Sequence, residues 1–256
     1  MSNRILYSML YDMLEQDHEA FKTDDGVAIL SPKAPLWLWL AQGRTVDDAR
    51  LFFSSFLHKN DQRLKTEPLV GLVAEEETAM ACASLYAKQT GYSYSVGELV
   101  AYYLPQEAEL EKPTAKGELR PASLEDFPLI QEWLQAFYAE TLHAALPQIE
   151  QNDGHSPTPD AKARLFIWQD DQPAAMGMLT GSTDQTCRLN LIFAPPDLRG
   201  KGYGKAMVST LTGIIRDNGQ IPVLYTASDN EVSNSLYQSL NFQEAGRLTE
   251  VRFFES

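Results

Sequence analysis

The sequence predicts a mixed α/β fold, with a mixed sheet, arranged as two halves. Short apolar strands alternate with amphipathic helices along the 256 residues, and this alternation is typical of α/β proteins. Residues 106–117 are charged, lack a hydrophobic face and contain a proline and a glycine, as linkers between domains do. We therefore expect two domains, residues 1–112 and 113–256.

The first half is predicted to hold three helices and four strands. Apolar residues recur with helical spacing in three segments and form short strand-like runs in four others. The helices are residues 5–15, 46–57 and 78–88, and the strands are residues 27–30, 36–41, 69–74 and 93–104. The order of the later elements is repeated in the second half.

The second half is predicted to contain a longer series of elements. A strand at residues 118–122 precedes a helix that Ser123 caps, with Asp126 three residues later. The polar segment 143–160 is expected to be an exposed loop or a short second helix. The remaining elements are strands at 165–168, 174–180 and 186–193, a helix at 200–218, a strand at 221–226, a helix at 233–240 and one or two closing strands within 246–254.

The clearest functional signal is the loop between the strand 186–193 and the helix after it. The loop region contains three glycines and three cations, which are Gly200, Gly202, Gly204, Arg199, Lys201 and Lys205. The first turn of a helix has unpartnered N–H groups and partial positive charge, so it binds anions. Glycines allow the N–H groups to converge on a ligand that approaches closely. The loop therefore predicts a site for a phosphorylated ligand.

Two common nucleotide-binding patterns do not fit this loop. The Walker pattern GxxxxGK[ST] fails because Lys205 is followed by Ala206 and position 199 is Arg. The dinucleotide pattern GxGxxG fails because the glycines lie at 200, 202 and 204. The spacing therefore excludes both nucleotide interpretations.

The pattern that fits is Arg-x-x-Gly-x-Gly, formed by Arg199, Gly202 and Gly204 after a strand. It resembles the acyl-CoA pyrophosphate loop of the GNAT superfamily of N-acyltransferases. About thirty residues later, the run from Asn230 to Phe242 resembles that family's N-x-x-[AS]-x-x-x-Y…G-F signature. Its one departure is Asn241 in place of Gly, and Asn is the next best residue at a left-handed helix end. The resemblance covers residues 117–256.

The resemblance implies a site for acetyl-CoA where two neighbouring strands separate. Backbone groups of Ile192, Phe193 and Ala194 would align the pantetheine arm, and one N–H would stabilise the oxyanion. Tyr237 would act as the catalytic acid that protonates the leaving thiolate. The predicted coenzyme contacts are Ile192, Phe193, Ala194, Arg199, Gly200, Lys201, Gly202, Tyr203, Gly204, Lys205, Asn230, Ser233, Asn234 and Tyr237.

Structural interpretations compete with several of these roles. Tyr237 lies on an apolar helix face and would serve equally as a core residue. Asn230 is also a good helix N-cap. Lys201 and Lys205 fit a solvated loop as well as a phosphate site. These alternatives stay open at the level of the sequence.

The general base has three candidates. An amine nucleophile must lose a proton, since a lysine amine has a pKa of about 10.4. Glu140 on the first helix of the second half and Glu250 on a closing strand are carboxylate candidates, and a chain of water molecules is the third. His143 and His155 lie in the variable loop that shapes the acceptor site in the GNAT superfamily.

The first half is interpreted as a degenerate copy of the same fold. At the place of the phosphate loop the chain has residues 41–50, with a single glycine. Asp47 and Asp48 would repel a pyrophosphate there. We expect this half not to bind coenzyme.

Composition limits the partners and the location. The formal net charge is −14, which argues against a nucleic acid partner. The two cysteines form no CxxC motif and predict reduced thiols in the cytoplasm. The longest apolar run, residues 27–41, is interrupted by two prolines and a lysine, so no membrane partner is expected. No metal site is predicted.

The resemblance to the GNAT superfamily implies an N-acetyltransferase. It would move an acetyl group directly from acetyl-CoA to a primary amine on a small molecule or a protein. The alternative is a non-catalytic acyl-CoA-binding or sensing module, which would use the same loop. The sequence does not identify the acceptor or the oligomeric state.

Overall fold

A computed structural model describes residues 5–15, 20–31, 34–142, 164–181 and 183–255. The chain divides into two compact units. The first comprises Met1–Ala101, Thr226–Glu231 and Ala245–Ser256, and the second comprises Tyr102–Tyr225 and Val232–Glu244. These bounds differ from the predicted domains 1–112 and 113–256, and that division stays a prediction.

The first unit contains a helical layer and a mixed sheet. Its elements are α1 (Ser8–Glu15), β1 (Ala20–Thr23), β2 (Gly26–Ile29), β3 (Leu36–Leu40), α2 (Val46–Lys59), α3 (Asp61–Thr66), β4 (Gly71–Ala74), α4 (Glu76–Thr90) and β5 (Ser93–Tyr103). Strands β1, β2 and β3 pair antiparallel, and β3 pairs parallel with β4 across the α2 crossover. The core contains the aromatic side chains of α2, with Phe53 and Phe56 stacked at 6.0 Å.

The last strand of the chain belongs to this first unit. Residues 246–254 were expected to close the second half, but a single strand, Gln243–Phe254, pairs antiparallel with β4. Its register places Thr249 opposite Ala74, and Val251 and Phe253 join the core of the first unit. This strand is β11 in chain order. Its alternating apolar residues supply one face to that core.

The second unit contains the strand, loop and helix that the sequence singled out. Its elements are β6 (Glu118–Pro121), α5 (Phe127–Leu142), β7 (Arg164–Gln169), β8 (Pro173–Thr180), β9 (Thr186–Phe193), α6 (Tyr203–Asp217), β10 (Ile221–Ala227) and α7 (Glu231–Ser239). The strand order is β10-β9-β8-β7-β6. Strands β6 to β9 pair antiparallel, and β9 pairs parallel with β10. The two units thus share an antiparallel meander followed by a parallel crossover.

The predicted mixed α/β fold is confirmed. Two short elements were missed, because β1 is a four-residue edge strand with exposed polar residues and α3 has one apolar residue in six. Helix α6 begins at Tyr203 and not at residue 200. The predicted loop 143–160, with His143 and His155, lies outside the described residues.

The predicted linker, residues 106–117, forms hydrogen bonds with helix α6. The Ser209 hydroxyl donates to the Glu111 carbonyl, and Arg216 donates to the carbonyls of Ala108 (2.6 Å) and Gln106. The segment preceding it also joins the second unit, since the Leu104 N–H donates to a β10 carbonyl at 3.0 Å. Hydrogen bonds hold this segment, which explains why it needs no hydrophobic face.

An ion pair joins β6 to the turn before α5. Both terminal nitrogens of Arg120 donate to the two carboxylate oxygens of Asp126 at 2.7 Å, and the Ser123 N–H and hydroxyl also donate to Asp126. The Asp126 side chain is only 9% exposed. The hydrogen bonds from Arg120, and then those from Ser123, hold the pKa of Asp126 well below its usual range although burial opposes this.

Replacing this carboxylate should make the protein less stable. Asp126→Asn is expected to lower the free energy of unfolding by about 2 kcal/mol at pH 7. The folded-state pKa lies below the unfolded value of about 3.9, so the stabilisation is present above that value and is lost as the pH falls through the folded pKa. Denaturant unfolding at pH 7 and pH 3 measures this effect. The wild type should lose more stability between the two than the variant.

A matched control is Asp61→Asn. Asp61 also accepts a 2.7 Å hydrogen bond from a cation, Lys65, but its side chain is 52% exposed. Exposed pairs contribute about 0–1 kcal/mol. Equal losses in the two variants would contradict the importance assigned to the Asp126 pair.

Candidate functional site

Strand β9 contains a β-bulge just before its end. Met176 on β8 pairs with Phe193, and Met178 pairs with Asn190, so β9 has one extra residue between them. Leu191 has a φ of +49° within this bulge, and its N–H donates to the Asn190 side-chain oxygen at 2.8 Å. Bulges of this kind turn a strand and redirect its backbone groups. The bulge therefore orients the predicted binding segment 192–194.

Strands β9 and β10 pair only near their beginnings. The parallel ladder joins Thr186–Arg188 to Ile221–Val223, although β9 continues to Phe193. The registered pairs end at Arg188 and Val223, so the ladder stops before the carboxyl ends of both strands. Ligands of open α/β sheets bind at the carboxyl ends of parallel strands. The separation of two neighbouring strands expected from the sequence stays a prediction.

The loop after β9 has the geometry expected of its glycines. A 3₁₀ turn, Pro196–Leu198, leads to Gly200 and Gly202, which have φ of +76° and +83°. Gly202 is the N-cap of α6. Left-handed residues cannot belong to an α-helix, which explains why α6 starts three residues later than predicted.

The first turn of α6 is suited to an anion. In the described part of the chain, no side chain caps this turn. No described atom lies within 4 Å of the position that a Cβ would take at Gly200 or Gly204, and at Gly202 the nearest is Ala115 Cβ at 3.8 Å. Open space above uncapped N–H groups fits the pyrophosphate of coenzyme A. The residues present therefore match the group that the loop predicts.

Arg199 points toward the protein and not toward this open space. Its Nε donates to the Ala194 carbonyl at 2.9 Å, and one terminal nitrogen donates to both Glu140 carboxylate oxygens at 2.9 and 2.7 Å. Its guanidinium carbon lies 5.6 Å from the centre of the Phe193 ring. The structure thus joins three of the predicted residues, Phe193, Ala194 and Arg199, through one side chain.

The other polar side chains of the loop also have protein partners. Lys205 forms a 2.5 Å ion pair with Glu111, and the Tyr203 hydroxyl donates to Asp170 at 2.7 Å. This hydrogen bond raises the pKa of Tyr203. Lys201 is exposed. Anion binding at this loop would therefore rely first on backbone N–H groups.

Tyr237 lies in an aromatic cluster on α7. Its side chain is buried, and its ring centre is 6.1 Å from Tyr102 and 5.9 Å from Phe242. The Tyr102 hydroxyl donates to the Asn234 side-chain oxygen at 3.0 Å. Burial raises the pKa of the Tyr237 phenol above its ordinary value of about 10. The phenol is therefore neutral and carries its proton at physiological pH.

The end of α7 confirms one detail of the sequence pattern. Asn241 has a φ of +65°, in the left-handed region expected where the family pattern has glycine. Its N–H donates to the Gln238 carbonyl, and the Phe242 N–H donates to the Tyr237 carbonyl, both at 3.1 Å. These are the two bonds of a Schellman motif. The motif fixes the turn that follows Tyr237.

Asn230 and Ser233 lie at the beginning of the same helix. Asn230 directly precedes α7 and belongs to the first unit, and its N–H donates to the Ala227 carbonyl at 3.1 Å. Ser233 and Asn234 belong to the second unit and are half-buried. The coenzyme contacts expected of Asn230, Ser233 and Asn234 stay predictions.

Both carboxylates considered as general bases are in ion pairs. Glu140 accepts from Arg199 as described above. Glu250, which belongs to the first unit, accepts from Arg252 at 2.9 Å and its side chain is 17% exposed. A carboxylate that accepts from a cation still has further lone pairs that can take a proton. Neither pairing identifies the base, and a water chain stays a candidate.

Three site residues were not predicted from the sequence. The Asn190 side chain accepts a hydrogen bond within the bulge. Glu111 forms an ion pair with Lys205, and Asp170 accepts a hydrogen bond from Tyr203. Asn190 gives little signal, because the same strand also contains the polar residues Thr186 and Arg188. Glu111 and Asp170 give no signal, because each is one of many acidic residues in polar segments.

Neither a membrane span nor a metal centre is found among the residues that the structure describes. None of their helices combines the length and apolar character required to cross a bilayer. Their His, Cys, Asp and Glu side chains do not form a group of three or more suited to a metal ion.

The fold and site define an α/β protein with an uncapped, glycine-rich helix start that follows a strand of a mixed sheet. Residues 127–242 match the Acetyltransferase (GNAT) family. This segment is therefore similar to the GNAT family, whose general chemistry is acyl transfer. No curated protein matches the sequence.

Solved structures with the same fold extend over nearly the whole chain. A GCN5-related N-acetyltransferase from Kribbella flavida has a TM-score of 0.66 at 14% identity, covering 98% of this chain and 95% of its own. A GNAT-family acetyltransferase, described as putative, from Novosphingobium aromaticivorans has a TM-score of 0.57 at 14% identity and covers 98% and 97%. A tandem GNAT protein from the clavulanic acid biosynthesis pathway has a TM-score of 0.54 at 13% identity and covers 89% and 78%. At these identities the similarity concerns the fold.

Proposed function

We propose that the protein is an N-acetyltransferase that moves an acetyl group from acetyl-CoA to a primary amine. The observation that carries this proposal is the uncapped first turn of α6, which follows left-handed glycines and comes after β9, whose ladder with β10 stops at Arg188. This arrangement supports the binding of a pyrophosphate at the loop. It also supports the binding of the pantetheine arm of coenzyme A in an extended form along β9.

Each part of the site has a role in this proposal. Acetyl-CoA supplies an activated acyl thioester. The N–H groups at the start of α6 would hold the pyrophosphate, and backbone groups of residues 192–194 would align the arm and donate to the thioester oxygen. Holding an amine beside the thioester favours direct transfer through proximity.

Tyr237 would act on the leaving sulfur. Its phenol keeps its proton because burial raises its pKa. An ordinary thiol has a pKa of about 8.5, so complete proton transfer from this phenol to a thiolate is unfavourable. We therefore expect Tyr237 to donate a hydrogen bond that stabilises the developing thiolate, with the proton lost by the amine completing the exchange.

We further propose that the first unit is a degenerate copy that does not bind coenzyme. Its helix α2 occupies the same place in a parallel crossover as α6, but its first turn is closed by a capping box. Asp48 N–H donates to the Thr45 hydroxyl at 3.3 Å, and Thr45 N–H donates to the Asp48 carboxylate at 2.7 Å. The carboxylates of Asp47 and Asp48 would also repel an anion.

The proposed acceptors are a small-molecule amine or a protein amino group. The proposed location is the cytoplasm, supported by two buried cysteines that form no disulfide. A test is incubation of the full chain with acetyl-CoA and a panel of amines, including polyamines, amino acids and lysine-containing peptides. Release of free thiol together with an acetylated amine supports the enzyme. Coenzyme binding without acetylation of any amine would favour the alternative, an acyl-CoA-binding or sensing module.

A further inference from the structure

We infer that Arg199 is a positioning residue, paired with Glu140, that orients the pantetheine-binding end of β9 and does not bind the coenzyme phosphates. This inference rests on the proposed function. The sequence pattern predicts that Arg199 binds the pyrophosphate, and this inference gives Arg199 a positioning role instead.

The guanidinium is already engaged on three sides. Its Nε donates to the carbonyl of Ala194, the last of the predicted arm-aligning residues. One terminal nitrogen donates to both oxygens of Glu140, in the last turns of α5. Its guanidinium carbon lies 5.6 Å from the Phe193 ring centre, within the range of a cation–π contact. Moving Nε or the Glu140-bound terminal nitrogen onto a phosphate would break these contacts.

These contacts converge on the end of β9. The Phe193 side chain is buried, and its ring centre lies 6.3 Å from that of Trp133 and 6.4 Å from that of Phe137, both on α5. Arg199 adds a link from α5, through Glu140, to the Ala194 carbonyl. The β-bulge fixes the other side of residues 192–194. The strand end is therefore held from both sides, and Arg199 supplies the link closest to the loop.

The chemistry of arginine suits this role. A planar guanidinium offers donors in fixed directions and can serve a carbonyl, a carboxylate and an aromatic face together. A lysine ammonium has the same charge but cannot satisfy the carbonyl and the carboxylate in this geometry. Exposed ion pairs contribute little to stability, and the Arg199 and Glu140 side chains are 45% and 43% exposed. Their expected effect is therefore on the placement of the strand end more than on folding.

Calorimetric titration with two ligands tests this assignment. One ligand is acetyl-CoA, and the other is adenosine 3′-phosphate 5′-diphosphate, which has the phosphates but no pantetheine. The variants are Arg199→Gln, Arg199→Lys, Glu140→Gln and the double variant. The control is Arg50→Gln, which removes an arginine with a 52% exposed side chain that pairs with Asp47 in the first unit.

We expect Arg199→Gln to weaken acetyl-CoA binding about tenfold, because small misplacements of a binding segment have large effects. Binding of the nucleotide fragment should change by less than about twofold, which also shows that the variant is folded. Arg199→Lys should stay impaired, and Glu140→Gln should act in the same direction. The double variant should be no worse than Arg199→Gln, since coupled residues are not additive. Arg50→Gln should match the wild type for both ligands.

Two results would overturn the inference. Equal weakening of both ligands by Arg199→Gln, with recovery in Arg199→Lys, would make Arg199 a phosphate ligand. Unchanged affinity for both ligands would leave Arg199 without a role in binding. Failure of the wild type to bind either ligand would contradict the proposed function itself, and the inference with it.

Discussion

Gly202→Val is expected to weaken acetyl-CoA binding by about a hundredfold or more while the protein stays folded. Gly202 has a φ of +83° and is the N-cap of α6, and a β-branched residue is strongly disfavoured there. Relaxing this strain would turn the N–H groups of the first helical turn away from the pyrophosphate. Two charge-assisted hydrogen bonds of about 1.5–3 kcal/mol each account for the expected loss. Calorimetric titration measures the affinity, and thermal unfolding measures the stability.

The first unit offers a closely matched control, Gly43→Val. Gly43 has the same φ of +83°, lies in the loop before α2, and has no described atom within 4 Å of the Cβ position. The substitution therefore imposes similar strain on the helix start that the capping box closes. Gly43→Val should destabilise the protein about as much as Gly202→Val and leave coenzyme affinity unchanged. Similar losses of affinity in both variants would mean that the effect is a general loss of structure.

Tyr237→Phe is expected to keep coenzyme binding and to lower turnover about a hundredfold. Removing one donor that stabilises a developing negative charge has an effect of this size. The Tyr237 ring lies in an aromatic cluster, and phenylalanine keeps that packing. Turnover is measured as the rate of thiol release with an amine that the panel identifies as a substrate. Calorimetric titration of the same variant measures its affinity for acetyl-CoA. An unchanged rate would remove the phenol from the mechanism and leave Tyr237 as a core residue.

The pH dependence has a defined sign. Burial raises the pKa of Tyr237, so its proton is present at every pH below the raised value. The contribution of the phenol should therefore persist as the pH rises through about 10, the ordinary tyrosine value.

The control for general effects of a lost buried hydroxyl is Tyr86→Phe. The Tyr86 hydroxyl accepts from the Leu69 N–H at 3.0 Å in the first unit, and its loss should lower stability but not turnover.

The sequence predicted the fold well where local patterns determine structure. Hydrophobic periodicity identified all the longer helices and strands, and the left-handed Asn241 follows from backbone preferences of asparagine. It failed for β11, because the pairing partner of a strand depends on long-range contacts. The alternating pattern of β11 fits a core in either unit, and only the assembled sheet shows that β11 pairs with β4.

In the candidate site, too, local features could be predicted from the sequence and long-range contacts could not. The glycine loop and the helix that it opens form a local motif, so their position and geometry were predictable from spacing. The pairs Arg199–Glu140 and Lys205–Glu111 join residues that are far apart in sequence, and spacing carries no information about them. Spacing alone predicts Arg199 and Lys205 as coenzyme ligands, and the structure adds that each also has a carboxylate partner in the protein.

Calorimetric titration of the full chain with acetyl-CoA, with its stoichiometry, tests the assignment of the glycine loop most directly. We expect one coenzyme per chain, because α6 has an open first turn and α2 has a capped one. We also expect Gly202→Val to weaken this binding about a hundredfold or more and Gly43→Val to leave it unchanged. Two coenzymes per chain would contradict the interpretation of the first unit. No binding at all would contradict the assignment of the glycine loop, and with it the proposed function.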